Sequence, residues 1–292
     1  MALLTDSMAL ARWRDSCRQR GGAIGFVPTM GALHAGHLAL IQAARQQCAH
    51  VVASIFVNPT QFGPNEDFSR YPRTPEADRE LLAGVGCDAV YMPEVGEIYP
   101  EGFQTAIRVE PLTLDLCGRS RPGHFDGVGV VVTILFNRVR PDVAFFGLKD
   151  YQQYQLIRRL VADLAMPLRV VGVPTVREAD GLALSSRNRY LDGEARVRAT
   201  ALYRGLLAAR QAWRAGERQV AVLERVARDV LERAGIEAVD YVAVREAQTL
   251  RVITSFTESM ADPVMLMAVR VGGARLIDNM VLSREDGAGL SL

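Results

Sequence analysis

Long apolar runs are missing from this chain of 292 residues. None approaches the ~20 residues that cross a bilayer, which argues against a membrane-spanning protein. Residues 1–20 lack the apolar stretch of a secretory leader and carry Asp6, Arg12, Arg14 and Asp15, so they are expected to form a first amphipathic helix. An excess of one charge is missing too. With 34 Lys plus Arg against 33 Asp plus Glu, the net charge is +1, which leaves no electrostatic footprint for nucleic acid or an anionic membrane. Cysteine is scarce. Cys17, Cys48, Cys87 and Cys117 form no C-x-x-C pattern, which excludes the common zinc and redox motifs. They read as small buried hydrophobes in a reducing, cytoplasmic setting. No G-x-x-x-x-G-K-[ST] loop occurs, so this is not a P-loop protein, and no G-x-G-x-x-G follows the first strand, which argues against a dinucleotide enzyme. No carboxylate cluster has metal-ligand spacing, and there is no internal repeat.

What is present is alternation. Strand-like apolar runs at 23–27, 51–57, 89–92, 142–146 and 168–173 alternate with helical patterns at 7–20, 36–47, 75–84, 128–139 and 151–164. Such a chain is expected to build a Rossmann-like α/β fold, a parallel sheet with helices on both faces, over residues 1–175. The run Val51-Val52-Ala53-Ser54-Ile55-Phe56-Val57 lacks polar alternation, as a strand buried on both faces should. Ligands then bind beyond the carboxyl ends of the strands, where the loops after Val27, Val57, Phe146 and Val173 would meet. Residues 176–292 read differently: two helices (194–214 and 218–234), then strands at 239–244, 264–271 and 274–278, with Gly272-Gly273 as a hairpin signal. This is expected to be a smaller C-terminal α+β domain, with a frayed tail over 283–292.

Five polar motifs fall on the ligand edge. In Pro28-Thr29-Met30-Gly31-Ala32-Leu33-His34-Ala35-Gly36-His37, a strand passes through a glycine turn into a helix start. Orphan N–H groups and the positive dipole end favour phosphate there, and two imidazoles can add hydrogen bonds as charge grows in a transition state. A His-x-x-His alone is more often surface decoration; the strand and glycine turn before it reverse those odds. Asn58-Pro59-Thr60-Gln61 offers amides to a small polar substrate. The basic segment Arg119-Ser120-Arg121-Pro122-Gly123-His124-Phe125-Asp126-Gly127 precedes a helix and can reach an anion. In Gly147-Leu148-Lys149-Asp150, Lys149 can neutralise phosphate, and Asp150 can cap the helix or hold a ribose hydroxyl, with Gln153 one turn on. Capping would explain Asp150. It would not explain a cation where the dipole disfavours one. Finally, Leu184-Ser185-Ser186-Arg187-Asn188 brings two hydroxyls and a cation to a junction loop that can close over a nucleotide.

With these residues in hand, His34-Ala35-Gly36-His37 resembles the HIGH signature of the nucleotidyltransferase superfamily that includes class I aminoacyl-tRNA synthetases. Leu184-Ser185-Ser186-Arg187-Asn188 resembles its KMSKS-type loop. Together with PTMGALHAGH, RPGHFDGV, FFGLKDYQQ and VPTVREADGLALSSRNRYL, residues 24–279 resemble the pantoate–β-alanine ligase (pantothenate synthetase) family. The resemblance implies adenylation of (R)-pantoate by ATP with Mg²⁺, then attack by β-alanine, releasing AMP. It implies that His34, His37 and Lys149 are catalytic, and that Pro28, Met30, Gly31, His34, Gly36, His37, Gly147, Lys149, Asp150, Val176, Leu184, Ser185, Ser186 and Arg187 contact ATP. It places Gln61 and Gln153 on pantoate, Gln61 also near β-alanine, with Asn58 and Arg121 as further substrate candidates. It implies a homodimer and leaves the protein ligands of Mg²⁺ open. The family usually carries Gly-Glu-Lys-Asp where this chain has Leu148 after Gly147. Rival readings are a superfamily member that adenylylates a phosphate, a tRNA-binding synthetase fragment, and a disabled member that only binds ATP.

Overall fold

A computed structural model describes residues 1–64, 66–257 and 262–283. Its first sheet has six parallel strands: β1 (Ala2–Leu4), β2 (Ile24–Thr29), β3 (His50–Ile55), β4 (Ala89–Tyr91), β5 (Val143–Gly147) and β6 (Arg169–Val173). They lie in the order β1-β4-β3-β2-β5-β6. A second, antiparallel sheet holds β7 (Val239–Glu246), β8 (Pro263–Val271) and β9 (Ala274–Val281). The helices are α1 (Ser7–Arg20), α2 (Ala35–Gln47), α3 (Pro75–Gly84), the short α4 (Val95–Ile98) and α5 (Cys117–Ser120), α6 (His124–Val139), α7 (Tyr151–Asp163), α8 (Gly193–Ala199), α9 (Ala201–Arg214) and α10 (Val220–Arg233). The expected parallel α/β sheet and its smaller α+β companion are both found.

The unbroken apolar runs have a direct cause. Alternate side chains of one strand enter different cores. Phe26, Val52, Ala144 and Phe146 pack with α1, α6 and α7, while Val27, Val51, Ala53, Val143 and Phe145 pack with α2 and α3. Full burial of such side chains stabilises by roughly 1.5–3 kcal/mol each, so a polar residue on either face would be costly. The second sheet is also covered on both sides. Val242, Val244, Met265 and Met267 face α9 and α10, whereas Ala243, Val264 and Leu266 join the core beneath the first sheet. Tyr151 Oη and Gln155 Nε2 on α7 both donate to the Ala247 carbonyl, at 3.1 and 2.9 Å, and pin that contact.

Strand order places the site. From β2 the chain moves to β3 on one side, and β5 lies on the other. The two loops leaving the carboxyl ends of β2 and β5 therefore open a crevice at the topological switch point, where ligands bind in such sheets.

Four sequence expectations need correction. Residues 2–4 are strand, not helix: Ala2 pairs with Ala89 at the sheet edge, and three residues are too few to carry a period. The helix expected over 194–214 is divided at Thr200. The helix expected from 128 starts at His124, because buried His124 and Phe125 fix its first turn after left-handed Gly123. β2 runs through Pro28; the β5 ladder stops at Phe26, so the missing N–H costs no bond there. The tail from residue 284 on lies outside the described residues.

Candidate active site

The histidine turn is built from backbone outward. Asp78, buried in the first turn of α3, accepts from Ala32 N–H (2.9 Å) and Leu33 N–H (2.8 Å). These bonds hold the turn that delivers His34 to the N-cap of α2. His34 Nδ1 accepts from Gly36 N–H at 3.1 Å, and His37 Nδ1 accepts from His34 N–H at 3.3 Å. Gly36 is needed for this: a Cβ there would lie 2.9 Å from His34 Cε1. Burial, helped by the charge on Lys149, lowers the His34 pKa to about 4. Burial, then the neighbouring His34, lowers that of His37 to about 3. Both rings are therefore neutral near pH 7. Since each Nδ1 accepts from a backbone N–H, the proton of each ring sits on Nε2. The turn offers two preset N–H donors.

The second arm leaves β5. Leu148–Asp150 is a 3-10 turn leading into α7. Lys149 is the sole lysine among the chain's 34 basic residues. Everywhere else the cation is the planar arginine fork; here it is a compact ammonium. Lys149 makes no hydrogen bond or ion pair with any described side chain, and it lines the cavity. Asp150 is exposed at the α7 N-cap and makes no side-chain cap bond, which removes capping as its explanation. Leu148 turns away into the core. A Cβ on Gly172 would lie 2.5 Å from its Cδ2, so Gly172 makes room for it.

Gln61, on the 3-10 turn Pro59–Gln61, closes the far side. Backbone and side-chain partners together fix the orientation of its neighbour Asn58. Asn58 Oδ1 accepts from Thr60 N–H (3.4 Å) and from Tyr99 Oη–H (2.7 Å), while Nδ2 donates to the Gly127 carbonyl (3.2 Å). Asn58 Nδ2 also donates to Gln61 Oε1 at 3.1 Å, which leaves Gln61 Nε2–H for the cavity, where its one partner is Met30 Sδ at 3.0 Å. Every polar group of the Asn58 side chain is thus engaged within the protein. Arg121 is likewise not an open anion site. Its Nε and Nη2 clasp Glu66 at 2.6 Å each, and Nη1 donates to His124 Nε2 at 2.9 Å. His124 donates from Nδ1 to the Gln61 carbonyl at 2.9 Å. Burial, then Arg121, lowers its pKa to about 4. The basic segment thus supports the Gln61 turn.

The third arm is a hairpin. Leu184 N–H bonds the Val176 carbonyl at 3.0 Å, and Arg177 bridges Ala183. Ser185 then caps the 3-10 helix Ser186–Tyr190 by accepting from Arg187 N–H at 3.3 Å. Arg187 pairs bidentately with Asp67, at 2.9 and 3.2 Å, and Ser186 hydrogen-bonds Tyr71.

One cavity of about 240 Å³ collects these arms. Pro28, Met30, His34, Gly36, His37, Asn58, Gln61, Arg121, Gly147, Lys149, Asp150, Gln153, Val176, Leu184, Ser185, Ser186 and Arg187 all line it. Gly31 alone of the expected residues does not; it lies in the turn beside Asp78. Comparison with known families now decides the lineage. The model of the pantoate-beta-alanine ligase family matches residues 2–281. The chain belongs to the pantoate–β-alanine ligase family. Pantothenate synthetases from Magnetococcus marinus and Moorella thermoacetica are 55% and 54% identical to it over 98% of its length, covering 97% and 100% of theirs. The crystal structure of the family member from Thermus thermophilus superposes with a TM-score of 0.89 at 48% identity, covering 97% of this chain and 99% of that one. The Francisella tularensis ligase, solved complexed with beta-gamma ATP and beta-alanine, gives 0.78 at 32% identity, covering 98% of this chain and 99% of its own.

Sequence reasoning missed the supporting residues of this ligase site: Asp78, Tyr99, His124 in its observed role, Glu66, Asp67, Asp278 and Asn279. Asp78 had a signal, an acid in a first helical turn behind Pro75. The pair Asp278-Asn279 inside a buried strand was another. Nothing in the sequence pairs Asp67 with Arg187 across 120 positions.

Proposed function

We propose that this chain joins (R)-pantoate and β-alanine to give pantothenate, using ATP and releasing AMP and pyrophosphate through a pantoyl adenylate. The observation that carries this reading is the convergence of His34, His37, Lys149 and the Ser185-Ser186-Arg187 loop on the cavity that also holds Gln61 and Gln153. Family membership supports it, as does the relative complexed with beta-gamma ATP and beta-alanine.

A carboxylate is a poor acyl donor until its oxygen carries a phosphate leaving group. In the first step a pantoate carboxylate oxygen attacks the α-phosphorus, and the bond to pyrophosphate breaks. Charge grows on the departing oxygens. Neutral imidazoles that present Nε2–H, the Lys149 ammonium, the serine hydroxyls and Arg187 are the groups that can stabilise it without moving a proton. Gln61 Nε2–H, its orientation set by Asn58 and Tyr99, is the donor to an oxygen of pantoate, and the amide of Gln153 is the second contact. In the next step the neutral amine of β-alanine attacks the acyl carbon, AMP leaves with the carbon–oxygen bond pair, and the nitrogen releases one proton to solvent. The donors are half-buried, and closure of the Ser-Ser-Arg loop over them would shield a water-sensitive adenylate.

Among the described residues no group of three His, Cys, Asp or Glu could hold a metal. Asp150, which lines the cavity and makes no cap bond, is the carboxylate that would hold Mg²⁺ beside the triphosphate. When bound, the ion would neutralise phosphate charge. We assign nucleotide and pantoate binding to residues 1–175 and the phosphate-closing loop to 176–292, and we place the enzyme in the cytoplasm as a homodimer. The four free, buried cysteines fit a reducing compartment. No described helix is long and apolar enough to cross a membrane.

The test is incubation with ATP, pantoate and β-alanine. Stoichiometric AMP and pantothenate are expected. ADP, or AMP without an amide product, would refute the reading. Sedimentation would check the dimer.

A further inference from the structure

Asp278 and Asn279 lie side by side on β9 among buried apolar neighbours, and the mechanism above gives neither a role. Asn279 Nδ2 donates to the carbonyl oxygens of Leu148 (2.9 Å) and Lys149 (2.8 Å). Carbonyls only accept, so these two contacts fix which end of the amide faces the turn. The same turn is anchored from the other side by the Leu148 side chain, packed on Gly172. Lys149 stands between these anchors; its ammonium makes no hydrogen bond or ion pair with a described side chain, though buried Asp278 feels its charge. Asp278 holds the other arm. Its carboxylate takes Arg177 bidentately, at 2.6 and 3.0 Å, and Arg177 begins the hairpin that delivers Ser185-Ser186-Arg187.

A buried amide costs desolvation that an apolar side chain of the same shape would avoid. What the amide supplies is a fixed backbone beneath one cation. We propose that Asn279 is a positioning residue for Lys149, and that the Asp278-Asn279 pair sets Lys149 and the Ser-Ser-Arg loop at one spacing across the triphosphate. The proposal takes the work of Lys149 from the ligase reading, but its placement of Lys149 stands on the structure alone.

The test is a double-mutant cycle on the full-length enzyme, with AMP formation measured for the native chain, Asn279→Leu, Lys149→Ala and the double variant. Asn279→Leu is expected to lower kcat by about 10²-fold, the scale of a 1 Å misplacement, with KM for pantoate changed by less than about 3-fold. In the Lys149→Ala background the same substitution should cost less than about 3-fold, since residues acting through one group are not additive. Equal losses in both backgrounds, or a loss under about 3-fold in the native one, would overturn the proposal. Asn279→Asp, which keeps the shape and removes the donors, is read the same way if the leucine variant does not fold.

A second readout needs no activity. Lys149 is the only lysine, so an amine-reactive reagent followed by peptide mapping reports one ε-amine beside the N-terminus. Its labelling rate should change several-fold in Asn279→Leu, and an unchanged rate contradicts the proposal. If the native chain made no AMP, the ligase reading would fall while this labelling comparison still judged Asn279.

Discussion

The histidine turn and the Ser-Ser-Arg hairpin face the same cavity but are held by different physics. The histidine turn is fixed by backbone bonds. Asp78 pins two N–H groups, and each imidazole caps α2 and thereby fixes its own tautomer. No ligand is needed to complete it. Backbone bonds close the hairpin on itself, and charge ties it to its surroundings: Arg187 on Asp67, Arg177 on Asp278, and Arg196 on Glu178. Of these only Arg187 lines the cavity, so a polyphosphate bound there would compete for its pair with Asp67, while Arg177–Asp278 stays a buried anchor. One arm is a preset donor; in the other, Arg187 would exchange Asp67 for a substrate anion, which suits a part that must close and reopen.

This contrast can be broken first at the histidines. His34→Ser and His37→Ala both remove the imidazole Nε2–H donor, the first while keeping an N-cap acceptor. Pantoate-dependent AMP formation should fall by roughly 10²–10³ in each, with the melting temperature nearly kept. Near-normal turnover would remove the histidines from the chemistry. Gln61→Ala comes next. It leaves a substrate oxygen unpaired at about 1–3 kcal/mol, so kcat/KM for pantoate should drop roughly 5- to 150-fold while KM for ATP holds; a loss confined to ATP would refute the assignment. Asp67→Asn should act the opposite way. A partly exposed pair contributes about 0.2–1 kcal/mol, and releasing Arg187 should tighten ATP binding by up to about 5-fold, with a stronger salt response. Looser ATP binding would show that the pair orders the hairpin instead of competing with phosphate.

Smaller effects follow. Leu148→Glu restores the residue usual in the family, yet the side chain points into the core. It should lower the melting temperature and leave turnover within about 3-fold at low temperature, since a buried carboxylate costs stability. A rise of orders of magnitude would mean that this chain is a partly disabled member. Smallest is the effect of pH between 8 and 6 on the adenylation half-reaction, which needs no amine. With His34 and His37 at about 4 and 3, no histidine limb should appear near 6.5. Stability should behave otherwise. These values and that of His124, about 4, lie below the unfolded value near 6.5, so the unfolded chain binds more protons between them. The stabilisation is full above about pH 6.5 and is lost as pH falls toward 4. Melting temperatures across that range would check it.

Much of this was legible in the sequence because its signals are local. The apolar runs of β2, β3 and β5, the glycine turn before His34, and a cation at a helix start at Lys149 each occupy a few consecutive residues. Asn58 and Arg121 were legible as site residues but not in role, because their roles depend on partners far away: Gly127 and Tyr99 for the one, Glu66 and His124 for the other. Asp78 and Asn279 each left a signal of its own, an acid behind Pro75 and a polar residue in a buried strand, but their partners were hidden for the same reason. Each bonds the backbone of a distant turn, and a backbone acceptor or donor leaves no mark in sequence. β1 was missed because three residues hold no period, and its strand character comes from pairing with β4.

The sharpest test is positional isotope exchange in ATP carrying oxygen-18 at the bridge between the α and β phosphates. Reversible adenylation frees pyrophosphate, whose β-phosphoryl oxygens become equivalent before ATP re-forms. Scrambling of label into the non-bridging β positions with pantoate present and β-alanine absent is the predicted result. Scrambling that requires β-alanine, or none while AMP is being formed, would contradict a pantoyl adenylate made at the histidine turn.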